Sequence, residues 1–152
     1  MNKTKVLFLC IHNSARSQMA EAYLKKFAGD QFDVESAGLE PGKLNPLAIE
    51  VMKEDGIDIS NNLTNDVFDF FKQGKIFHYV VTVCDPKASE SCPIFPGLMK
   101  KINWGFSDPS KFAGSHEEKL QQTRLVRDQI KQAVISFLKE YSTLWSSLSL
   151  NS

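Results

Sequence analysis

An α/β fold, a single doubly wound domain on a parallel four-stranded sheet flanked by helices, is what this sequence predicts. Three observations lead there. Strand-like and helix-like patterns alternate from end to end, the order that builds a mainly parallel sheet. The strand-like runs are apolar, and the run over 77–83 is rich in β-branched and aromatic residues. The 152 residues suffice for one domain with a real core, and they carry no internal repeat or linker.

The first strand covers residues 5–10 and ends at Cys10. A helix follows over 17–28, with Met19, Ala20, Tyr23, Leu24 and Phe27 on one side and Gly29 ending it. Residues 32–36 alternate as a second strand. Asn45 before Pro46 starts a helix, and Gly56 stops it. A shorter helix lies within 65–73, the third strand is 77–83, and 101–104 give a short fourth. The long last helix begins at Ser115, with Glu118 completing a capping box. Val126, Ile130, Ala133, Val134, Phe137 and Tyr141 form its core stripe, and Arg124, Arg127 and Asp128 belong to a solvated face. The domain is expected over 1–145, with the small, polar 146–152 as a frayed tail.

Composition narrows the function classes. Lys plus Arg equals Asp plus Glu at 18 each, so no global charge draws the chain to nucleic acid or an anionic membrane. The N-terminal apolar run is too short for a signal peptide, and no segment approaches a membrane span, so a cytoplasmic monomer is expected. Three cysteines make no secreted disulfide framework. An odd set in a reducing compartment suggests one nucleophile with redox-active companions; three buried thiols is the plainer reading.

Chemistry concentrates in Cys10-Ile11-His12-Asn13-Ser14-Ala15-Arg16-Ser17, where the first strand hands over to a helix. A cysteine, five residues, then arginine and serine suit a tetrahedral oxyanion held against a sulfur nucleophile. The backbone N–H groups of His12, Asn13, Ser14 and Ala15 can curl around the anion, under the positive end of the helix. The same field stabilises a thiolate, so Cys10 is expected to be reactive at neutral pH. Arg16 returns over the loop to grip two anion oxygens, and Ser17 caps the helix and donates its hydroxyl to the sulfur. The alternative is a buried strand cysteine followed by an ordinary basic residue. The strand-to-helix switch argues against it, because α/β sheets place their ligands there.

Displacement at Cys10 needs a proton donor for the departing oxygen. Asp108, before Pro109 in a loop, is the candidate, with a carboxyl pKa raised by the nearby oxyanion. Its residues alone favour a plain Asp-Pro turn. Cys84 ends the third strand and emerges on the same edge as Cys10. Cys92 follows in a polar stretch that contains Pro86 and is built to move. Two such thiols can pass a disulfide outward by exchange, although structural thiols remain an alternative. A metal site is weakly supported, since no CxxC or close histidine accompanies them, and His12, His78 and His116 read as loop or surface residues.

The loop, continuing Gln18-Met19-Ala20-Glu21-Ala22, resembles the phosphate-binding loop of the low-molecular-weight protein tyrosine phosphatase superfamily, and within it the thioredoxin-coupled arsenate reductases. The likeness also takes in Ser36-Ala37-Gly38, Asn45-Pro46, Asp58-Ile59-Ser60, Val81-Thr82-Val83-Cys84-Asp85, Cys92-Pro93 and Trp104-Gly105-Phe106-Ser107-Asp108-Pro109, nearly the whole chain. His12 departs from it, standing where many members carry glycine. The resemblance implies arsenate or phosphate as the anion, Asp108 as general acid, and reduction of arsenate to arsenite. It makes Cys10 the nucleophile, Cys84 the second thiol and Cys92 the third, with thioredoxin as reductant and no tightly bound cofactor. It further implies a potassium ion on Asn13, Glu21 and Ser36, with an acid near Asp66. The alternative enzyme is a phosphatase that hydrolyses phosphotyrosine or aryl phosphates through a Cys10 phosphocysteine. Typical members of that branch place tyrosines after the Asp-Pro, whereas Ser110 and Lys111 stand here and only Phe112 offers an aromatic surface. A non-enzymatic thiol redox sensor would use the same cysteines but leave Asp108 without a purpose.

Overall fold

Four parallel strands in the order β2-β1-β3-β4 form the sheet of the computed structural model, which describes residues 3–141. The tail expected over 146–152 lies outside them. β1 (Thr4–Cys10) is central and pairs with β2 (Phe32–Gly38) on one side and β3 (Tyr79–Thr82) on the other; β4 (Lys100–Asn103) forms the far edge. β2 and β3 therefore lie on opposite sides of β1, and the strand order reverses there. Cys10 ends β1 at that switch point, where such sheets leave a crevice beyond their carboxyl ends.

Side-chain alternation divides the core. Val6, Phe8 and Cys10 face α1 (Arg16–Ala28), α2 (Pro46–Glu54) and α4 (His116–Tyr141). Leu7 and Leu9 face the other way, against Val67 and Phe70 of the short α3 (Val67–Lys72), with Phe77, Phe95 and Cys92. The sheet is thus doubly wound, with unequal layers. Asn45 caps α2 by accepting from the Leu47 N–H, and Pro46 supplies its first residue. Ser115 and Glu118 form the expected reciprocal box at α4.

Some expectations need correction. Phe27 is exposed at the end of α1, stacked on Tyr23 rather than buried. Ala133 and Tyr141 are only half-buried, whereas Leu120, Thr123 and Leu138 join the buried face of α4. Arg124 and Arg127 are not a freely solvated face. Arg124 grips Glu54 through Nε and Nη2, and Arg127 donates to Glu54 and the Val51 carbonyl, tying α4 to α2. No helix among the described residues is long and apolar enough to cross a membrane.

Candidate active site

Every backbone carbonyl from Cys10 to Ser14 is occupied by a donor outside the loop. Leu39, Glu40, Gly42 and Asn45 give their N–H groups to Cys10, Ile11, His12 and Ser14, and the Gln18 amide donates to Asn13. With the carbonyls held outward, the loop N–H groups are left for the interior. Among the described residues none accepts from the N–H of His12, Ser14, Ala15, Arg16 or Ser17. The Asn13 N–H donates to Cys10 Sγ at 3.1 Å. Such a ring of outward carbonyls and inward N–H groups is an anion cradle.

Asn13 is the one described non-glycine residue with positive φ, at 54°. His12, the departure from the family pattern, therefore carries none of the loop's unusual backbone; its Nδ1 donates to the Glu40 carbonyl at 2.8 Å. Asparagine tolerates the left-handed region, and here its side chain is fully used. Nδ2 donates to Ser17 and Ser36, and Oδ1 accepts from the Asn65 N–H.

Ser17 is not the helix cap. Ala15 occupies that position without a side-chain cap, and Ser17 sits buried in the first turn of α1. Its Oγ lies 2.9 Å from Cys10 Sγ and accepts from Asn13, so its single proton is free for the sulfur. Two donors thus converge on Cys10, as a sulfur anion requires. Behind them Ser36 donates to Glu21, whose other oxygen meets Lys25. Asn13, Ser36 and Glu21 therefore form one hydrogen-bonded chain. Asp66 turns away, capping α3 through the Phe68 N–H.

Arg16 opens α1 and reaches across to the loop after β4. Its Nη1 donates to the Phe106 carbonyl at 3.0 Å, and Nη2 lies 3.4 Å from Asp108 Oδ2. Arg16, Cys84, Asp108 and Phe112 line one open cleft of about 680 Å³. A groove of about 510 Å³ between β4 and the end of α4 contains none of these residues. The rise expected of the Asp108 pKa beside a bound oxyanion starts from a carboxyl that its own surroundings depress. Burial does push it up, but the Ser110 N–H and hydroxyl, then the charges of Arg16 and Lys111, outweigh burial and hold it below the usual carboxylate range.

The remaining thiols occupy different environments. Cys84 lies beside Cys10 and Arg16, as the shared sheet edge predicted. Burial and the neighbouring Cys10 push its thiol up to about 11, against the Arg16 charge and backbone hydrogen bonds from Ile11 and Asp85. Cys92 is buried on the opposite face of the sheet, with Leu9 and Phe95. Burial also lifts its thiol to about 11, opposed only by Lys101. The segment between them is a 3-10 turn, Pro86–Ser91, with Asp85 accepting from the Lys87 N–H at its start.

Sequence reasoning gave no role to Gln18, Asn65, Phe106 or Ser110. Gln18 is a buried amide whose helix neighbours, Glu21, Ala22 and Lys25, are not buried, so the pattern of α1 gave no signal for it. Asn65 and Phe106 act across long sequence separations, and Ser110 acts on Asp108 two residues before it.

Comparison with known proteins decides the family. The pattern of low molecular weight phosphotyrosine protein phosphatases matches residues 5–144. The chain belongs to this family. Among curated members it is 46% identical over 137 residues to an arsenate reductase of Halalkalibacterium halodurans, covering 90% of this chain and 96% of that one. A solved structure described as an arsenate reductase in the phosphate binding state superposes with a TM-score of 0.74 and 30% identity, over 91% of this chain and 99% of that one. A Corynebacterium glutamicum thioredoxin-dependent arsenate reductase gives 0.66 and 26%, over all of this chain and 64% of that one. Cys84, packed in one cluster with Cys10, is a thiol that phosphate hydrolysis does not need.

Proposed function

We propose that this protein reduces arsenate to arsenite through a thiol relay that ends on thioredoxin. The observation that carries the reading is Cys84, placed next to the loop nucleophile and Arg16 at the same sheet edge. The names of the relatives, arsenate reductases at high coverage, agree with it.

Arsenate enters the cradle of loop N–H groups, and Arg16 shifts from the Phe106 carbonyl to two arsenate oxygens. The Cys10 thiolate, served by the Asn13 N–H and the Ser17 hydroxyl, attacks arsenic and displaces an oxygen. Asp108 lies within reach of that oxygen. A seated dianion competes for Arg16 and adds negative charge beside the carboxyl, and both effects raise its pKa toward the acid form it must hold. Cys84 then attacks Cys10 Sγ. The S–As bonding pair stays on arsenic, arsenite leaves, and a Cys10–Cys84 disulfide remains. Cys92 attacks Cys84 and frees Cys10, and a dithiol protein reduces the Cys84–Cys92 bond. Potassium suits the oxygens of Ser36, Glu21 and Asn13, provided Asn13 turns its carbonyl toward them.

Hydrolysis of aryl phosphates is a second activity of the same centre, favoured by Asp108 and the cleft wall of Phe106 and Phe112 beside Arg16. NADPH oxidation with thioredoxin, thioredoxin reductase and arsenate, run beside an aryl phosphate assay, tests both. Arsenate-dependent turnover is expected, with Cys84→Ser and Cys92→Ser abolishing it and sparing hydrolysis. Equal loss of both activities in folded variants contradicts the relay.

A further inference from the structure

Gln18 is a buried amide one residue past Ser17 on α1, and its nitrogen faces three carbonyl oxygens. Nε2 lies 3.1 Å from the Asn13 backbone oxygen, 3.2 Å from Asn13 Oδ1 and 3.0 Å from the Leu63 carbonyl. Its oxygen accepts from the Asn62 amide at 3.1 Å. Turned over, the amide would set oxygen against three oxygens, so its orientation is fixed. Asn13 Oδ1 also accepts at 2.9 Å from the Asn65 backbone N–H, a group that can only donate. Both oxygens of Asn13 are therefore claimed by donors, and Nδ2 is left to face Ser17 and Ser36. That orientation decides the state of Ser17. Its hydroxyl receives a proton from Asn13 and keeps its own for the Cys10 sulfur, 2.9 Å away. The Asn13 backbone matters as much, because at a φ of 54° its N–H reaches the same sulfur. A non-glycine residue keeps such a conformation where its surroundings over-determine it, and the two bonds from Gln18 do that.

We propose that Gln18 is a positioning residue for the Cys10 nucleophile, holding Asn13 so that the Asn13 N–H and the Ser17 hydroxyl both serve the sulfur. It acts through Asn13 rather than on the sulfur itself. The inference rests on Cys10 as the nucleophile, which arsenate reduction and aryl phosphate hydrolysis share. Two donors favour the thiolate over the thiol, so without Gln18 the sulfur keeps its proton to higher pH. The other charged or titratable groups around the sulfur are Arg16 on α1, Cys84 after β3, His12 in the loop, Asp108 beyond β4 and, behind Ser36, Glu21 with Lys25. A change at Gln18 alters none of them.

The test starts from Cys84→Ser/Cys92→Ser protein, in which Cys10 is the remaining thiol, and follows its alkylation by iodoacetamide across a pH series. The sulfur bonds to carbon, and iodide leaves with its electron pair. Gln18→Met keeps the length of the side chain and removes its donors. The pH of half-maximal alkylation should rise by about one unit, the scale of one hydrogen bond to a charged group, with the plateau at high pH unchanged. Below that pH, kcat/KM for an aryl phosphate should fall about tenfold with the thiolate. The shift should shrink when Ser17→Ala is already present, since the two residues lie on one path. Asn62→Ala loosens the same loop but leaves both bonds to Asn13, and should alkylate as the parent does. An unmoved half-maximal pH overturns the proposal, even with a raised plateau, which would mean that Gln18 only keeps the sulfur covered. An equal shift from Asn62→Ala overturns it too, as does full additivity with Ser17→Ala. If Gln18→Met fails to fold, the 15N spectrum of the unmutated protein decides. Gln18 side-chain protons that exchange as slowly as the β1 amides support the proposal, and protons that exchange like those of exposed amides overturn it. No arm uses arsenate or thioredoxin, so a protein that fails to reduce arsenate leaves this test intact.

Discussion

Cys84 and Cys92 lie on opposite faces of one sheet: Cys84 packs in the cluster of Cys10 and Phe8, Cys92 in that of Leu9 and Phe95. A disulfide needs its two Cα atoms within about 7 Å and the side chains turned toward each other. The Pro86–Ser91 turn therefore has to open, and Cys92 has to leave its apolar pocket, before the relay can finish.

Hydrogen exchange reads that rearrangement directly. In the reduced protein the Ala88 and Cys92 amides are held by Asp85 and Ser89 carbonyls. Oxidation with arsenate should remove their protection while leaving the β1 amides slow. Equal exchange of residues 86–92 in both states would show that the thiols meet without unwinding the turn.

The sequence made the meeting of Cys10 and Cys84 legible because β1 ends at Cys10 and β3 stops at Thr82, two residues before Cys84, so both thiols surface on the same edge of a parallel sheet. It also exposed the capping box at Ser115 and the Asn45-Pro46 start, which depend on neighbours in the chain. It could not show that Cys92 faces the other layer, because a turn, not a strand period, sets its direction. Nor could it show Arg127 bound to Glu54, since the pair depends on how α4 lies across α2. The resting state of Asp108 was hidden for a related reason. The donors of Ser110 are local, but whether they outweigh burial is a balance that only the folded geometry fixes.

That balance has a pH signature. The Asp108 carboxyl is held below its ordinary value, so its stabilising interactions are complete above the unfolded pKa of about 3.9 and are lost as pH falls through the folded one. Ser110→Ala removes the hydroxyl that donates to Asp108 at 2.8 Å. It should cost roughly 1 kcal/mol at neutral pH, the scale of one such hydrogen bond. The difference from the unmutated protein should shrink below about pH 4, where the carboxyl takes up its proton. Urea unfolding across the range checks this, and a difference that grows toward low pH would contradict the assignment.

Gly38 is fixed by close approach. A Cβ there would lie 2.6 Å from the Ile11 carbonyl oxygen and 2.9 Å from the Asn13 nitrogen, both backbone atoms of the anion loop. Gly38→Ala must therefore displace the loop whose Asn13 N–H serves the sulfur. The expected cost in stability is about 1–3 kcal/mol, the range for overpacking. Phosphate affinity should fall further than stability, because the cradle depends on several N–H groups aimed together. Calorimetric titration with phosphate makes the comparison, and unchanged affinity would mean that β2 rather than the loop gives way.

Glu21 sets the last prediction. Its carboxylate accepts from Ser36 on one oxygen and meets Lys25 at 2.6 Å on the other, while the Asn13 amide donates to Ser36. A potassium ion on these oxygens would need Asn13 to rotate its amide, which would exchange the Asn13-to-Ser17 hydrogen bond for coordination. Binding only the folded state, the ion should raise Tm relative to sodium at equal ionic strength, more so as its concentration rises. Glu21→Gln removes the charge that makes the cluster attractive to a cation and should abolish the difference. Potassium should also alter the Cys10 alkylation rate, because the Ser17 hydroxyl that serves the sulfur is held by the same asparagine. Identical melting in the two salts would mean that hydrogen bonds alone hold Asn13, Ser36 and Glu21 together.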